Sequence, residues 1–536
     1  MRGAALLVKT LSNAGVEVIF SLSGNQIMPV YDACIDAGIR IIHVRHEGAA
    51  TYMAEAYAQL TGKLGVALIT AAPGFASGVG PLFMATASEN PILLLSGDSS
   101  ASQDGKGAFQ EFDQVAVSSP MTKFSKRPMT PRNLGTDTAE AIRVAFSDRM
   151  GPTHLALAFD VLMGEASDTP VPSGDDFAPT ITRPDDAAIA DIATAIATAE
   201  RPVILVGPSQ NATRSKGAIA KLADAVDAPV VPMESPRGLN DPSLGSFSTM
   251  LAKADVIVSL GKDIDFTTCF GQAPKFPADC TFYMIDPDEK NLDRAERAMG
   301  ERMKLRHQAN AVAATKALIA GGVGGNKHKA WREEMATALA ARPAPPANPA
   351  AMPMHPAVMS AAIQRLLDRA DDPIVILDGG EVGQWAQSGI TAPTRVINGP
   401  SGSIGGCLCY ALAAKVARPK ATVVIVMGDG TAGFHFAEFE TAHRYGLDFT
   451  AIIGHDARWN AEYQIQKRDF GEDRIYETEL GVVRYDLAAA GFGCHGEFVE
   501  NPAEMDSALD RADISGKPAC VVARIEGLPA PSGSGH

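Results

Sequence analysis

Short apolar runs separated by helix-patterned stretches recur along almost the whole chain. That alternation admits few folds other than a mainly parallel α/β sheet. In the first third, Val16–Phe20, Ile41–Val44, Val66–Thr70 and Pro91–Ser96 read as strands, with helices over Gln26–Ala37 and Gly48–Leu60 between them. The pattern resumes after a proline- and acid-rich stretch, Thr169 to Asp186. Helix Ala187–Ala199 leads into strands Pro202–Val206, Pro229–Pro232, Val256–Leu260 and Phe282–Ile285. A glycine cluster around Gly321 and six prolines between Arg342 and Pro356 mark a second break. Beyond it, Ile374–Leu377, Thr422–Val426 and Phe449–Ile453 are strands, and Phe434–Tyr445 reads as a helix. The sequence therefore predicts three tandem α/β domains, over 1–168, 186–325 and 357–528. A linker is expected over 326–356, and a disordered tail over 529–536.

Composition removes several function classes. The net charge of −15 over 536 residues argues against a phosphate-backbone binder, which wants a basic footprint, so no nucleic-acid partner is expected. No apolar run is long enough for a membrane span, and no cleavable leader is recognisable. Seven cysteines without a CxxC pair suggest reduced thiols in a cytoplasmic protein and no zinc site.

The chemistry-bearing segments lie at strand ends. Gly428-Asp429-Gly430 sits just past the apolar run Thr422–Met427 and before a helix, at the carboxyl end of a strand, where open α/β sheets bind ligands. The glycines let backbone approach a diphosphate. Asp429 suits Mg²⁺, which takes carboxylate, phosphate and water oxygens; the alternative is an aspartate closing a surface turn. His43-Val44-Arg45-His46-Glu47 ends another strand. Taken alone, Glu47 could simply be a helix-start residue favoured by the macrodipole.

In order and spacing, these segments resemble the thiamine-diphosphate-dependent enzymes of the acetolactate synthase-like superfamily, over nearly the whole chain. The resemblance implies a pyrimidine-binding first domain, a central domain, and a third domain that binds diphosphate and Mg²⁺. It implies that Glu47 hydrogen-bonds N1′ of the cofactor aminopyrimidine as the catalytic acid/base. The family motif that opens with GDG closes in Asn-Asn. Here the metal-binding position falls on Asp456 and the carbonyl-donating position on Arg458, so Asp429, Asp456 and the Arg458 backbone carbonyl are the expected metal ligands. Pro73, in the turn Ala72-Pro73-Gly74, would lie against the pyrimidine. Gly380 and Glu381 would touch the diphosphate together with Gly428 and Gly430. The carbonyl of Gly402 would accept the 4′-amino group. Ile404 would wedge the cofactor into its bent form, or else serve as plain core packing. In Ala108-Phe109-Gln110-Glu111, Phe109 and Gln110 would face the reacting carbons. The turn Ser23-Gly24-Asn25-Gln26 places Gly24, Asn25 and Gln26 at the substrate. Trp459 and Glu462 belong to a helix that covers the site.

The reaction class is less constrained. The Ser23–Gln26 turn has no histidine, and glutamine is a poor proton shuttle, which favours carboligation over simple decarboxylation. Leu64–Ala72 is similar to benzaldehyde lyase, and Phe266–Gly271 is similar to the 2-hydroxyacyl-CoA lyase branch. The central-domain motifs that hold FAD in acetolactate synthases have no match at Phe247–Met250 or Lys262–Phe266, so FAD is not expected. The sequence thus reads as a lyase or carboligase that makes or cleaves a carbon–carbon bond next to a carbonyl. Its substrates would be small molecules, a 2-oxo acid or a 2-hydroxy ketone. The alternatives are a 2-oxo acid decarboxylase, a 2-hydroxyacyl-CoA lyase, an FAD-containing oxidase or a non-catalytic member. Because Glu47 and the diphosphate residues lie in different domains, and such halves meet across subunits in this superfamily, at least a homodimer, preferably a tetramer, is expected.

Overall fold

The computed structural model describes residues 1–322, 324–397 and 399–531. Three parallel sheets form, as the alternation predicts. The first holds β1 (Val18–Ser21), β2 (Arg40–His43), β3 (Gly65–Ile69), β4 (Ile92–Asp98), β5 (Phe124–Lys126) and β6 (Thr153–Ala158). The second holds β7 (Pro202–Val206), β8 (Val230–Pro232), β9 (Val256–Leu260), β10 (Thr281–Asp286) and β11 (Met303–Gln308). The third holds β12 (Pro373–Leu377), β13 (Thr394–Ile397), β14 (Thr422–Gly428), β15 (Thr450–His455), β16 (His495–Val499) and β17 (Ala519–Arg524).

The first sheet runs β2-β1-β3-β4-β6-β5 and the third β13-β12-β14-β15-β17-β16, which is the same winding. The second runs β11-β10-β9-β7-β8. In the first and third sheets the chain reverses its direction of travel between the first and third strands. Crevices for ligands therefore open at the carboxyl ends of β1 and β3, and of β12 and β14. The central strands β3, β4 and β15 are buried along their whole length, because helices cover both faces. Helix Glu47–Thr61 is rich in alanine for a packing reason. A Cβ on Gly65 of β3 would overlap the Ala54 carbonyl, so helix and strand meet almost backbone to backbone.

The chain forms two compact units. One comprises residues 1–180 together with 408–419 and 435–447. The other takes the intervening segments from 181 onward, and so holds the second and third sheets. In the first unit, the C-terminal-third segments pack on the N-terminal sheet through buried polar pairs. The Tyr410 hydroxyl donates to the Glu55 carboxylate, and the Arg45 N–H donates to Glu438 Oε1 at 2.9 Å. Among the described residues, no helix is long and apolar enough to cross a membrane.

Three expectations need correction. The helix read over Phe434–Tyr445 starts only at Glu438. The Phe434 ring is drawn onto Gly405 instead, where a Cβ would lie 2.6 Å from the ring. Within the expected linker 326–356, Lys329–Ala340 is a helix. Its Trp331, Met335 and Ala338 recur at helical spacing and complete the central core, and the Trp331 indole N–H donates to the Pro202 carbonyl at 2.9 Å. The tail expected to be disordered is held as far as it is described. The Ala530 N–H donates to Glu381 Oε2 at 2.7 Å. Residues 532–536 of that tail lie outside the described residues.

Candidate active site

At the switch point of the third sheet lies a cavity of about 260 Å³. Four loops of the third domain line it, and Arg237 of the central domain joins them. After β12 come Gly380 and Glu381, the first residues of helix Gly380–Gly389, and from the following turn come Gly402 and Ile404. After β14 come Gly428, Asp429 and Gly430. After β15 come Asp456, Arg458, Trp459 and Glu462. Gly380 and Gly402 have φ of 70° and 69°, a left-handed conformation that costs glycine little. The N-terminus of the helix at Gly380 faces the cavity with the partial positive charge that suits phosphate oxygens. Ile404 is half-buried on the cavity wall and is not part of the core. Trp459 immediately precedes helix Asn460–Phe470, and its ring packs on Gly430, where a Cβ would lie 2.7 Å away.

Asp429 is buried and its oxygens are oriented by three donors. Oδ1 accepts from the Gly430 N–H at 2.8 Å, and Oδ2 from the Ala457 N–H at 2.7 Å. His455 Nδ1 lies 2.6 Å from the same Oδ2, while its Nε2 accepts from the Val483 N–H at 2.9 Å. That acceptor role puts the imidazole proton on Nδ1, pointing at Asp429. The Tyr485 hydroxyl donates to the Asp429 carbonyl at 2.9 Å. Neither His455 nor Tyr485 was singled out from sequence. His455 adjoins Asp456 at a strand end and could have been flagged there; nothing in sequence relates Tyr485 to Asp429.

Asp456 completes the pair. Its Oδ1 accepts from the Arg458 N–H at 3.1 Å, and its Oδ2 is buried with no hydrogen-bond partner. Burial first, and the charge of Asp429 second, push its carboxyl up to about 7. An unmatched buried carboxylate oxygen beside a second carboxylate fits a hard divalent cation. Among the described residues, no three His, Cys, Asp or Glu side chains cluster as a metal site. Backbone, phosphate and water oxygens would therefore have to complete the shell, which is how Mg²⁺ is commonly held.

The first unit carries the other expected residues in the segments that follow β1, β2, β3 and β4. Glu47 opens helix Glu47–Thr61, half-buried, and its Oε1 lies beside Gly74, where a Cβ would come within 3.1 Å. The segment leading to it is pinned from several sides: the His43 N–H donates to Tyr445 Oη at 2.8 Å, and Arg444 donates to the His43 carbonyl at 2.7 Å. Pro73 is exposed at the start of helix Pro73–Gly78, after Ala72 at φ 39° and ψ −91°. That backbone is strained, as is common beside ligands.

Gln26 links two motifs that are far apart in sequence. Its Nε2 donates to Gln110 Oε1 at 2.7 Å, and its Oε1 accepts from Thr70 Oγ1 at 2.8 Å. Thr70 also explains Gly24, because any Cβ at Gly24 would overlap the Thr70 side chain. Asn25, Gln26 and the exposed Phe109 line a cavity of about 230 Å³. The histidine missing from the Ser23–Gln26 turn arrives from elsewhere: His43 Nε2 lies 3.0 Å from Ser23 Oγ. The argument from the absence of an imidazole therefore does not hold.

Residues 1–117 match the family model described as the thiamine pyrophosphate enzyme N-terminal TPP binding domain. Residues 189–318 match the central domain of the same enzymes, and 378–523 their C-terminal TPP binding domain. The chain is 31% identical to the acetolactate synthase large subunit of Mycobacterium tuberculosis, covering 97% of this chain and 95% of the relative. It is 27% identical to a 2-hydroxyacyl-CoA lyase of Oryza sativa, covering 97% and 94%. To the human 2-hydroxyacyl-CoA lyase 1 it is 27% identical, covering 98% and 94%.

Proposed function

Since the chain belongs to the thiamine pyrophosphate enzyme family, we propose that it makes or cleaves a carbon–carbon bond next to a carbonyl, on a small 2-oxo acid or 2-hydroxy ketone. The observation that carries this reading is the partnerless Asp456 oxygen beside Asp429, in a cavity ringed by glycines at a sheet switch point.

Asp429, Asp456 and the Arg458 carbonyl would hold Mg²⁺, while Gly380, Gly428 and Gly430 offer backbone to the diphosphate. When bound, thiamine diphosphate supplies the nucleophilic carbon and the electron sink. Glu47 would hydrogen-bond N1′ of the aminopyrimidine and hold a proton there. Pro73, the Gly402 carbonyl and Ile404 would support the cofactor. Gln110 acts on the substrate side. Its Oε1 is engaged by Gln26, which leaves its amide N–H groups free to donate to a developing alkoxide, while Phe109 bounds the acceptor. Carboligation rests on this Gln110–Phe109 pair, now that His43 stands beside Ser23. Glu47 and the diphosphate residues belong to different units, in keeping with a working form that is at least a homodimer and preferably a tetramer. Similarity to 2-hydroxyacyl-CoA lyases supports cleavage of a 2-hydroxyacyl substrate as a second reading.

The test is product analysis by NMR on purified protein with thiamine diphosphate and Mg²⁺. Pyruvate would be supplied alone and with aldehydes, and 2-hydroxy ketones would be tried for cleavage. Coupled or cleaved products are expected. Release of only free aldehyde and CO₂, with every acceptor ignored, would make the protein a decarboxylase instead.

A further inference from the structure

The second unit contains two more cavities beside the one at the switch point, of about 620 Å³ and 280 Å³. Among the described residues, Arg237 is the one side chain that lines all three. It is half-buried, and its guanidinium has no hydrogen bond or ion pair with any described residue. Five donors without a protein acceptor leave this cation open to an anion that enters the cavities.

The backbone beneath Arg237 is fixed in advance. The neighbouring Gly238 sits at φ 54°, so close to the Thr267 carbonyl that any Cβ there would overlap it. The Arg237 carbonyl accepts the Asn240 N–H at 3.0 Å, and the Ser235 hydroxyl accepts the Arg237 N–H at 3.2 Å. Just upstream, Glu234 is buried between Arg395 and Asn211. A rigid turn thus presents a free side chain.

The 620 Å³ cavity carries three cationic side chains, Arg237, Lys467 and Arg468, against the carboxylate of Glu381. Lys467 and Arg468 already face Glu472 at 2.6 Å and Asp469 at 2.7 Å, so the unmatched charge is that of Arg237. Cavities of this size take ligands far larger than pyruvate. Guanidinium binds carboxylate and phosphate in the same two-point fashion.

We infer that Arg237 anchors a distal oxyanion on an extended substrate whose reacting end meets the cofactor held in the adjoining switch-point cavity. This rests on the functional reading above and adds the substrate's far end to it.

The experiment is calorimetric titration of protein loaded with thiamine diphosphate and Mg²⁺, in a Glu47→Gln background to prevent turnover. The probes are 2-oxoglutarate, 2-oxo-4-phosphonobutanoate and 2-oxopentanoate, which share a head group and differ at the far end. One of the two probes with a distal oxyanion should bind at least about tenfold tighter than 2-oxopentanoate, as expected for hydrogen bonds to a charged group. The carboxylate and phosphonate arms show which oxyanion the site prefers. Adding Arg237→Gln should collapse that preference to within about twofold, and Arg237→Lys should keep part of it. No preference in the parent, or an unchanged preference in Arg237→Gln, overturns the inference. So does an Arg237→Gln protein that loses thiamine diphosphate more than tenfold while keeping the preference, because Arg237 would then serve the cofactor. A parent that binds no thiamine diphosphate overturns the functional reading and this inference with it. A parent that binds it without a distal-anion preference overturns this inference alone.

Discussion

Replacing Asp456 with alanine should move the stability of the free protein and of the cofactor-loaded protein in opposite directions. In the free protein, Asp456 is buried, one oxygen has a single backbone donor, and the other has none. Removing the carboxylate gives up one hydrogen bond, about 1 kcal/mol, and relieves an unsatisfied buried charged group, about 1–3 kcal/mol. The net effect is neutral to about 2 kcal/mol stabilising. In the loaded protein the same change would remove one of the two carboxylates proposed to hold the metal. Suppose thiamine diphosphate and Mg²⁺ are supplied at about 100 times the wild-type dissociation constant. Binding then contributes about 2.7 kcal/mol to the wild type. A 100-fold weaker variant would gain only about 0.4 kcal/mol at the same concentration. At roughly 2–4 °C per kcal/mol for domains of this size, the melting midpoint should rise by about 5–10 °C in wild type and about 1–2 °C in the variant. The assay is a pair of thermal unfolding curves for each protein, with and without cofactor and Mg²⁺. An Asp456→Ala protein with the full wild-type gain would refute the reasoning, because the partnerless oxygen would then have no part in holding the metal.

Glu47→Gln should lower turnover by roughly 10²–10⁴-fold, the range for a lost acid/base group, with cofactor affinity kept within a few fold; near-normal turnover would remove Glu47 from the mechanism. His154 is buried against Ser96, Ser118 and Ser125, and burial holds its imidazole down to about 3. The unfolded chain takes up a proton there below about pH 6.5 while the folded chain does not, so this contribution is complete above pH 6.5 and is lost as pH falls towards 3. Stability should therefore fall more steeply between pH 6 and 4 in wild type than in His154→Asn, and parallel curves would contradict this. Light scattering at assay concentration should find at least a dimer, and a fully active monomer would contradict the shared-site reading.

Much of this was legible in the sequence. Strand and helix signals are local, because the period of apolar residues depends only on near neighbours. The parallel α/β class and most strands therefore followed directly: Pro202–Val206 and Val256–Leu260 form at the limits read from sequence. The glycines at 380, 402, 428 and 430 and Asp429 stood out at strand ends and tight turns, and the folded chain brings them to one cavity. Other features needed the folded chain. Lys329–Ala340 was taken for linker because its three apolar residues gain their meaning only against the central core. Residues 408–419 and 435–447 pack with the first sheet, which no local pattern announces. Gln26 meets Gln110 across 84 positions, and His43 reaches Ser23 across 20. His455 and Tyr485 became supports of Asp429 only through contacts 26 and 56 positions apart. The want of a partner for Arg237 is likewise a property of its surroundings alone. Sequence fixes what each residue can donate or accept, and tertiary structure decides which of those groups are met and which are left open for a ligand.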